Sequence, residues 1–305
     1  MSGLVIRWNG EGLSRYVLGT AQLGSDYGIA NNEGMPDQEK ANGIVKVAWE
    51  EGVRVFDTAQ AYGKSELVLG KALQRNSFSE KARIITKLTP EKNPEDPSWV
   101  VPAVQNSCNA LGVNQLWGLM LHRFEWLRYM DRSFGETLRN LKKHGLVKYI
   151  GVSVYTHTET IDALNHPDID IIQAPCNIWS PELLTEGIFE RAAKENTLIF
   201  VRSLFLQGLL LMSPDEVEQR LPKATEVLRE WNQIQEDFDE NGWELCMRFA
   251  ATLPVPVVMG AENQMQVNEN AGFLHAEPFT KTEIEHIHIR LAPYLSDQIT
   301  NPAKW

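Results

Sequence analysis

The sequence predicts a (β/α)₈ barrel with an extended insertion between its seventh and eighth strands, because three features occur together. Eight short apolar runs recur along the 305 residues, helical patterns alternate with them, and the runs lack the in/out alternation of a half-exposed sheet. Continuous apolar strands suit a sheet that is buried on both faces, and alternating helices favour parallel pairing through crossovers. Since such a barrel usually takes about 250 residues, one domain over residues 1–305 is expected.

Each apolar run ends where polar or glycine-containing residues begin. In chain order the runs are Tyr16–Thr20, Val53–Asp57, Arg83–Lys87, Leu116–His122, Lys148–Ser153, Asp170–Gln173, Leu198–Ser203 and Val255–Gly260. Between them lie segments with helical periodicity, for example Gln38–Glu51 and Phe134–His144. The eight runs are therefore predicted to be the barrel strands and the segments between them the surrounding helices.

One connection is much longer than the others. The stretch Leu204–Leu253 exceeds one helix with its loops, so we expect an insertion with a loop at Ser213–Pro222 and helices around Val227–Phe238 and Glu244–Leu253. An open, doubly wound sheet would share the strand and helix order. It usually carries G-x-G-x-x-G after its first strand, and Gly19–Gly24 does not fit that pattern.

Composition excludes several function classes. Lys and Arg number 29 against 40 Asp and Glu, and the net charge of −11 disfavours nucleic acid and anionic lipid surfaces as partners. The most apolar stretch, Leu204–Met212, is far shorter than the roughly 20 residues that cross a bilayer. No signal sequence is visible in Met1–Gly12, so the cytoplasm is the expected compartment. The three dispersed cysteines and the His286/His288 spacing predict neither a disulfide framework nor a metal site.

The polar residues at the strand ends are the candidates for chemistry, since the active site of this fold lies at the carboxyl edge of the strands. They are Asp57, Lys87, His122, Ser153, Gln173, Arg202 and Ser203. Each has an ordinary explanation when taken alone, such as a helix cap or a core histidine. The barrel would bring them to one mouth, together with Tyr62, which follows Asp57 by five residues.

Such a set suits proton transfer to a carbonyl oxygen. A Lys87 ammonium close to Tyr62 would lower the pKa of the phenol towards neutrality, and Asp57 would keep Lys87 charged. His122 would donate a second hydrogen bond to the substrate oxygen while the carbon accepts a hydride. Use of Lys87 as a Schiff-base nucleophile is an alternative from a different enzyme class.

The motifs around these residues resemble those of the aldo-keto reductase superfamily over nearly the whole chain. Asp57 and Tyr62 stand in D-T-A-x-x-Y-G, Lys87 in I-T-K and His122 in L-M-L-H. The resemblance implies a barrel with these four catalytic residues, Tyr62 as general acid, and NAD(P)H bound across the mouth without a Rossmann domain. The implied activity is reduction of an aldehyde or ketone to an alcohol by hydride transfer. Some relatives instead serve as cofactor-sensing regulatory subunits with weak catalysis, which is the alternative function.

The resemblance also implies which residues hold the cofactor. Ser153 and Gln173 match the carboxamide contacts, and the G-x₅-Q-x₂-E-N signature after the eighth strand is met by Gly260, Gln266, Glu269 and Asn270. The full expected set is Gly19, Thr20, Asp57, Ser153, Gln173, Arg202, Ser203, Gly208, Gly260, Glu262, Gln266 and Asn270.

Three positions depart from the family pattern. Arg202 replaces the usual Tyr after the seventh strand, where it would either stack on the nicotinamide or pair with a carboxylate. Val154 replaces an Asn, which removes one amide from the carboxamide site. Glu262 stands where many relatives carry a basic or small polar residue, and its charge would repel a 2′-phosphate. NADH is therefore slightly favoured over NADPH, although Glu262 also suits a helix N-terminus.

Substrate contacts are expected from the loops that follow the strands. The candidates are Asp26, Tyr27, Arg123, Tyr155, Trp179 and Phe205. Arg123 directly follows His122, which suggests a polar or anionic small-molecule substrate such as a sugar derivative. Loop sequence decides this specificity, so the substrate itself and the oligomeric state are not predicted.

Overall fold

Eight parallel strands close into a barrel, and a short hairpin precedes them. The computed structural model describes residues 5–31 and 34–305. The hairpin strands are antiparallel, β1 (Val5–Trp8) and β2 (Glu11–Ser14). The barrel strands are β3 (Tyr16–Gly19), β4 (Val55–Asp57), β5 (Arg83–Lys87), β6 (Leu116–Leu121), β7 (Val147–Ser153), β8 (Ile171–Pro175), β9 (Leu198–Arg202) and β10 (Val257–Gly260). They pair in chain order, and β10 returns to β3. All eight predicted strands are confirmed, with ends shifted by at most two residues.

Helices surround the barrel, because each crossover between parallel strands carries at least one. They are α1 (Gln38–Glu50), α2 (Ser65–Arg75), α3 (Val100–Leu111), α4 (Ser133–Lys143), α5 (His157–Leu164), α6 (Glu182–Thr185), α7 (Ile188–Lys194), α8 (Pro214–Arg220), α9 (Thr225–Phe238), α10 (Gly242–Thr252), α11 (Gln264–Ala271), α12 (Lys281–Leu291) and α13 (Asp297–Thr300). None of the described helices is long and apolar enough to cross a membrane.

The predicted insertion between the seventh and eighth barrel strands is present, but the loop predicted at Ser213–Pro222 is wrong. That segment forms α8, which has a complete capping box at its start. The Ser213 hydroxyl accepts a hydrogen bond from the Glu216 N–H, and the Glu216 carboxylate accepts one from the Ser213 N–H. Pro214 fits the first helical position, where no N–H partner is needed.

The apolar core has two parts, one inside the barrel and one between the strands and the helices. The inner part contains side chains that alternate along the strands, such as Val17, Ile85 and Phe200. Trp8 and Leu13 of the hairpin join it, and Trp8 packs against Tyr149 with ring centroids 4.5 Å apart. The hairpin therefore closes the amino end of the barrel and leaves the carboxyl end open for a site.

Glu11 links this hairpin to the barrel. Its carboxylate accepts hydrogen bonds from Tyr149 Oη at 2.9 Å and from Trp117 Nε1 at 3.2 Å, and it pairs with Lys148 and Arg83. Burial alone would raise the pKa of Glu11, but the donors from Lys148, Tyr149, Trp117 and Arg83 outweigh it and lower the pKa to about 2. Glu11 therefore stabilises the fold when it is ionised.

We expect Glu11→Gln to lower the free energy of unfolding by about 1–2 kcal/mol at pH 7, since it removes a charged acceptor. A folded pKa below the ordinary value means that the contribution is complete above about pH 4.5 and is lost as the pH falls towards 2. Urea unfolding of both proteins from pH 7 to pH 3 measures this. Glu285→Gln is the control, because that exposed side chain only forms a 3.7 Å surface pair with Lys281. If the free energies of unfolding of the two proteins differed by the same amount at every pH, the stabilising role of the ionised Glu11 would be contradicted.

Candidate active site and its family

The carboxyl edge of neighbouring strands brings three of the predicted residues together. Asp57 ends β4, Lys87 ends β5, and His122 directly follows β6. Lys87 Nζ donates to Asp57 Oδ1 at 2.7 Å and to Oδ2 at 2.8 Å. Both side chains are buried, with only 1% of Lys87 and 4% of Asp57 exposed. The expected ion pair is thus present in an environment that screens it little.

Tyr62 completes the cluster from the loop after β4. Lys87 Nζ lies 3.4 Å from Tyr62 Oη and also donates to the Thr58 carbonyl oxygen at 3.1 Å. The His122 ring meets the Tyr62 ring edge-on, with centroids 5.9 Å apart and planes at 85°. Four side chains from three stretches of the sequence therefore share one mouth.

Gln173 at the end of the predicted sixth strand also enters this network. Its Nε2 donates to Asp57 Oδ1 at 2.7 Å, so Asp57 accepts hydrogen bonds from both Lys87 and Gln173. Since a buried carboxylate is costly without donors, these contacts account for its position.

The pKa values of Tyr62 and Lys87 are shifted mainly by burial. Burial raises the pKa of Tyr62, the negative charge of Asp57 raises it further, and Arg202 opposes this. The predicted lowering of the Tyr62 pKa is therefore wrong for the protein alone, because desolvation of the phenolate outweighs the cations. Burial also lowers the pKa of Lys87, against the opposing effect of Asp57.

His122 is neutral at physiological pH. Burial, Lys87 and Arg202 lower its pKa to about 4. Its Nδ1 is buried and has no hydrogen-bond partner among residues 5–31 and 34–305. A neutral imidazole can orient a polar substrate atom without adding charge.

Close packing between two loops fixes the backbone of Tyr62. A Cβ added to Gly24 would lie 1.8 Å from the Tyr62 carbonyl oxygen, and one on Gly63, whose φ is +55°, would lie 2.3 Å from the Gly24 oxygen. Beneath them the buried Ser65 hydroxyl lies 2.8 Å from Thr20 Oγ1 and donates to the Thr20 carbonyl oxygen at 2.7 Å. Sequence reasoning missed Ser65, since nothing local marks a helix-start serine as buried.

A cavity of about 300 Å³, lined by Asp57 and Tyr62 of this cluster, extends across the barrel mouth. All the predicted cofactor residues except Ser153 line it: Gly19, Thr20, Asp57, Gln173, Arg202, Ser203, Gly208, Gly260, Glu262, Gln266 and Asn270. Ser153 lies buried at the end of β7, beside Gln173 in the sheet register. The wall also contains Gln22, Gln207 and Trp243, which the sequence did not indicate.

Close backbone approaches shape the far end of this cavity. A Cβ on Gly260 would lie 2.3 Å from Gln22 Oε1, and one on Gly208, whose φ is +96°, would lie 2.5 Å from Ala30 Cβ. Asn270 Nδ2 donates to the Gly260 carbonyl oxygen at 3.0 Å, so α11 is tied to the end of β10. An extended groove between a catalytic cluster and a helix start fits a dinucleotide.

The predicted substrate residues do not all lie at the cavity. Tyr27 and Phe205 line the cavity. Tyr155 is 38% exposed at the rim, and Arg123 is exposed beside a separate hollow that Lys92 and Arg128 also line.

A substrate contact from Trp179 is wrong. Its side chain is 0% exposed and packs against Trp231 with ring centroids 6.1 Å apart. The long insertion supplies Trp231 from α9 and so covers the loop after β8. Sequence reasoning could not anticipate this, because the partner lies on a segment whose position is set by tertiary packing.

Arg202 does not pair with a carboxylate in the described part of the chain, and its stacking on a nicotinamide stays a prediction. Its guanidinium stacks on the Tyr155 ring, with Cζ 4.5 Å from the centroid. Its Nη1 donates to Ser203 Oγ at 3.0 Å and its Nη2 to the Val154 carbonyl oxygen at 2.9 Å. No carboxylate of residues 5–31 or 34–305 lies within 4.0 Å of its nitrogens.

The barrel and the cluster at its mouth define the class of this protein: the chain belongs to the aldo/keto reductase family, whose profile matches residues 15–290. It is an NAD(P)-dependent oxidoreductase of carbonyl and alcohol groups. Among curated relatives, it is 26% identical to D-arabinose 1-dehydrogenase of Saccharomyces cerevisiae, over 84% of this chain and 81% of the relative. It is also 26% identical to D-threo-aldose 1-dehydrogenase of a Pseudomonas species, over 88% of this chain and 94% of the relative.

Solved structures show the same fold over the whole length. The glycerol dehydrogenase of Gluconobacter oxydans superposes with a TM-score of 0.73 at 23% identity, covering 99% of this chain and 98% of that one. An aldo-keto reductase from Bacillus halodurans in its holo form superposes with a TM-score of 0.72 at 21% sequence identity, covering 99% of each chain. The predicted family and fold are thus confirmed.

We expect Gly24→Ala to displace the Tyr62 loop, because the new methyl group would overlap a backbone oxygen that cannot rotate away. Overpacking of this kind costs about 1–3 kcal/mol. Thermal unfolding and turnover of an aldehyde measure the two consequences. Gly272→Ala is the matched control, since its Cβ would lie at an ordinary 3.5 Å from the Trp243 side chain. Unchanged stability and turnover in Gly24→Ala would contradict the packing argument.

Proposed function

We propose that this chain reduces an aldehyde or ketone to an alcohol with NAD(P)H, and that Tyr62 is the general acid. The observation that carries the proposal is the hydrogen-bonded series in which Lys87 Nζ contacts Asp57 on one side and Tyr62 Oη on the other. The same residues can serve the reverse oxidation, with Tyr62 accepting the proton.

The raised pKa of Tyr62 keeps the proton on Oη while the substrate binds. As the substrate oxygen gains negative charge, the Lys87 ammonium stabilises both that oxygen and the phenolate that remains. Asp57 holds Lys87 in place, and the neutral ring of His122 positions the oxygen. When bound, the nicotinamide supplies the hydride. Proton delivery from Oη to the substrate oxygen completes the reduction.

The contacts of Lys87 disfavour the Schiff-base alternative. Its Nζ is engaged by Asp57, by the Thr58 carbonyl oxygen and by Tyr62, which together use the three N–H donors of an ammonium. A nucleophilic amine needs a lone pair that is free to attack a carbonyl carbon.

The residues at the cavity wall fit NAD(P)H. Gln173 would hold the carboxamide, while Gly260, Gln266 and Asn270 would border the adenosine end. Within this set Glu262 contributes a carboxylate near the start of α11, and a carboxylate there favours NADH by repelling a 2′-phosphate. The names of the aldose dehydrogenases among the relatives support a sugar-like substrate.

We expect Tyr62→Phe to lower kcat/KM for aldehyde reduction by about 10²–10⁴-fold, since it removes the proton donor. Asp57→Asn should lower kcat/KM by a smaller factor, because it alters the environment of Lys87 and Tyr62 but keeps Tyr62 as the proton donor. Steady-state kinetics with both cofactors measure the losses. Tyr294→Phe, at a tyrosine that is 41% exposed, is the matched control.

Most of the turnover surviving in Tyr62→Phe would refute its role. A wild-type protein that binds the cofactor tightly but turns over no aldehyde would instead favour the cofactor-sensing alternative.

We expect Glu262→Gln to raise the affinity for NADPH relative to NADH by roughly three- to tenfold, because one negative charge beside the phosphate is removed. Quenching of tryptophan fluorescence during titration with each cofactor reports binding, since Trp243 lines the same cavity. Glu285→Gln changes the net charge equally on α12 and serves as the control. An unaltered ratio would mean that Glu262 does not select the cofactor.

A further inference from the structure

Arg202 is a cation at the catalytic mouth that no acidic side chain in the described residues balances. It lines the same cavity as Asp57 and Tyr62, and its guanidinium receives no ion pair from residues 5–31 or 34–305. Its side chain is half-buried. An arginine in such a place normally pairs with a carboxylate or phosphate, because desolvating its charge is otherwise unfavourable.

The contacts that Arg202 does make hold it in one orientation. Tyr155 covers one face of the guanidinium plane, and the Val154 carbonyl oxygen and the Ser203 hydroxyl each accept one hydrogen bond. A guanidinium has five N–H donors, so three are left by these contacts. A planar, fixed fork with spare donors is the geometry that binds a carboxylate through two parallel hydrogen bonds.

The sequence departure at this position is also an electrostatic one. Besides burial, the charges of Lys87, Arg202 and Arg123 lower the pKa of His122, and the carboxylate of Glu91 opposes them. Asp57 is paired with Lys87, and Glu262 and Glu269 also line the cavity wall, so Arg202 supplies a local positive charge in a molecule whose net charge is −11. A local cation of this kind favours an anionic group of the ligand close to it.

Tyr27 contributes a phenol to the wall of the cavity that Arg202 also lines. Burial and the charge of Tyr62 raise the pKa of Tyr27, against the opposing charge of Arg202, so the phenol keeps its proton. A protonated phenol in this wall adds a neutral hydrogen-bond donor for an anionic oxygen.

We propose that Arg202, assisted by Tyr27, binds a carboxylate of the substrate, so that the preferred substrate is an oxo acid whose aldehyde or ketone group reaches Tyr62 and His122. This rests on the proposed function, whose reaction it leaves unchanged: the carbonyl carbon gains a hydride, its oxygen gains a proton, and the carboxylate only binds. Arg202 is then a specificity-determining residue, and the stack of Arg202 on Tyr155 keeps it ready for the anion.

The test compares two aldehydes of equal chain length, succinic semialdehyde and butanal. The ratio of their kcat/KM values is measured for the wild type, Arg202→Met, Arg202→Lys and Arg123→Met. We expect the wild type to prefer succinic semialdehyde, Arg202→Met to lower the ratio at least tenfold through KM, and Arg202→Lys to restore part of it. Arg123→Met removes one charge from the same end of the barrel, and it should keep most of the ratio because Arg123 faces a separate hollow.

A binding experiment separates this proposal from the reductase function itself. Calorimetry with succinate and with its neutral analogue succinamide, on protein with and without bound NADH or NADPH, needs no turnover. Succinate binding that Arg202→Met abolishes supports the anion site even if neither aldehyde is reduced.

Two outcomes would overturn the proposal. Succinate and succinamide binding equally to the wild type would show that no carboxylate is recognised. A loss of NADH or NADPH affinity in Arg202→Met as large as the loss of succinate affinity would assign Arg202 to the cofactor.

Discussion

The buried ion pair between Lys87 and Asp57 is the interaction on which the site depends. Removing both charges from water is unfavourable unless each finds several partners. Asp57 accepts from Lys87 and Gln173, while Lys87 also reaches the Thr58 carbonyl oxygen and Tyr62. These partners come from β4 with its following loop, from β5 and from β8, so the complete network needs the folded barrel. Assembly of the candidate catalytic cluster therefore depends on the tertiary fold.

The two ends of the barrel satisfy their polar groups in different ways. At the amino end, Glu11 is surrounded by donors from Lys148, Tyr149 and Arg83, and the hairpin seals the interior. At the carboxyl end, Arg202 lines the open cavity and forms no ion pair with an acidic side chain of the described residues. Satisfied polar groups stabilise a fold, whereas a charged group without an ion partner at an open mouth is available to a ligand.

Much of the fold could be predicted because the strands are continuous apolar runs. These runs located all eight strands, and the polar residue that ends a run marked Asp57, Lys87 and His122. The loop predicted at Ser213–Pro222 was wrong because Ser213 and Pro214 compose a helix start. The error at Trp179 arose because a tryptophan on a loop reads the same whether it faces a cavity or another helix.

The sequence by itself determined the barrel, its family and the identity of the four clustered residues, since these follow from local patterns and motif spacing. Tertiary structure alone decided their protonation and their partners. Desolvation, which depends on everything packed around a group, raised the pKa of Tyr62 where its charged neighbour Lys87 had suggested a decrease. Tertiary structure also decided the partners of Arg202. The end of β9 lies next to the loop after β7, so Arg202 stacks on Tyr155 and forms no ion pair with a carboxylate of the described chain.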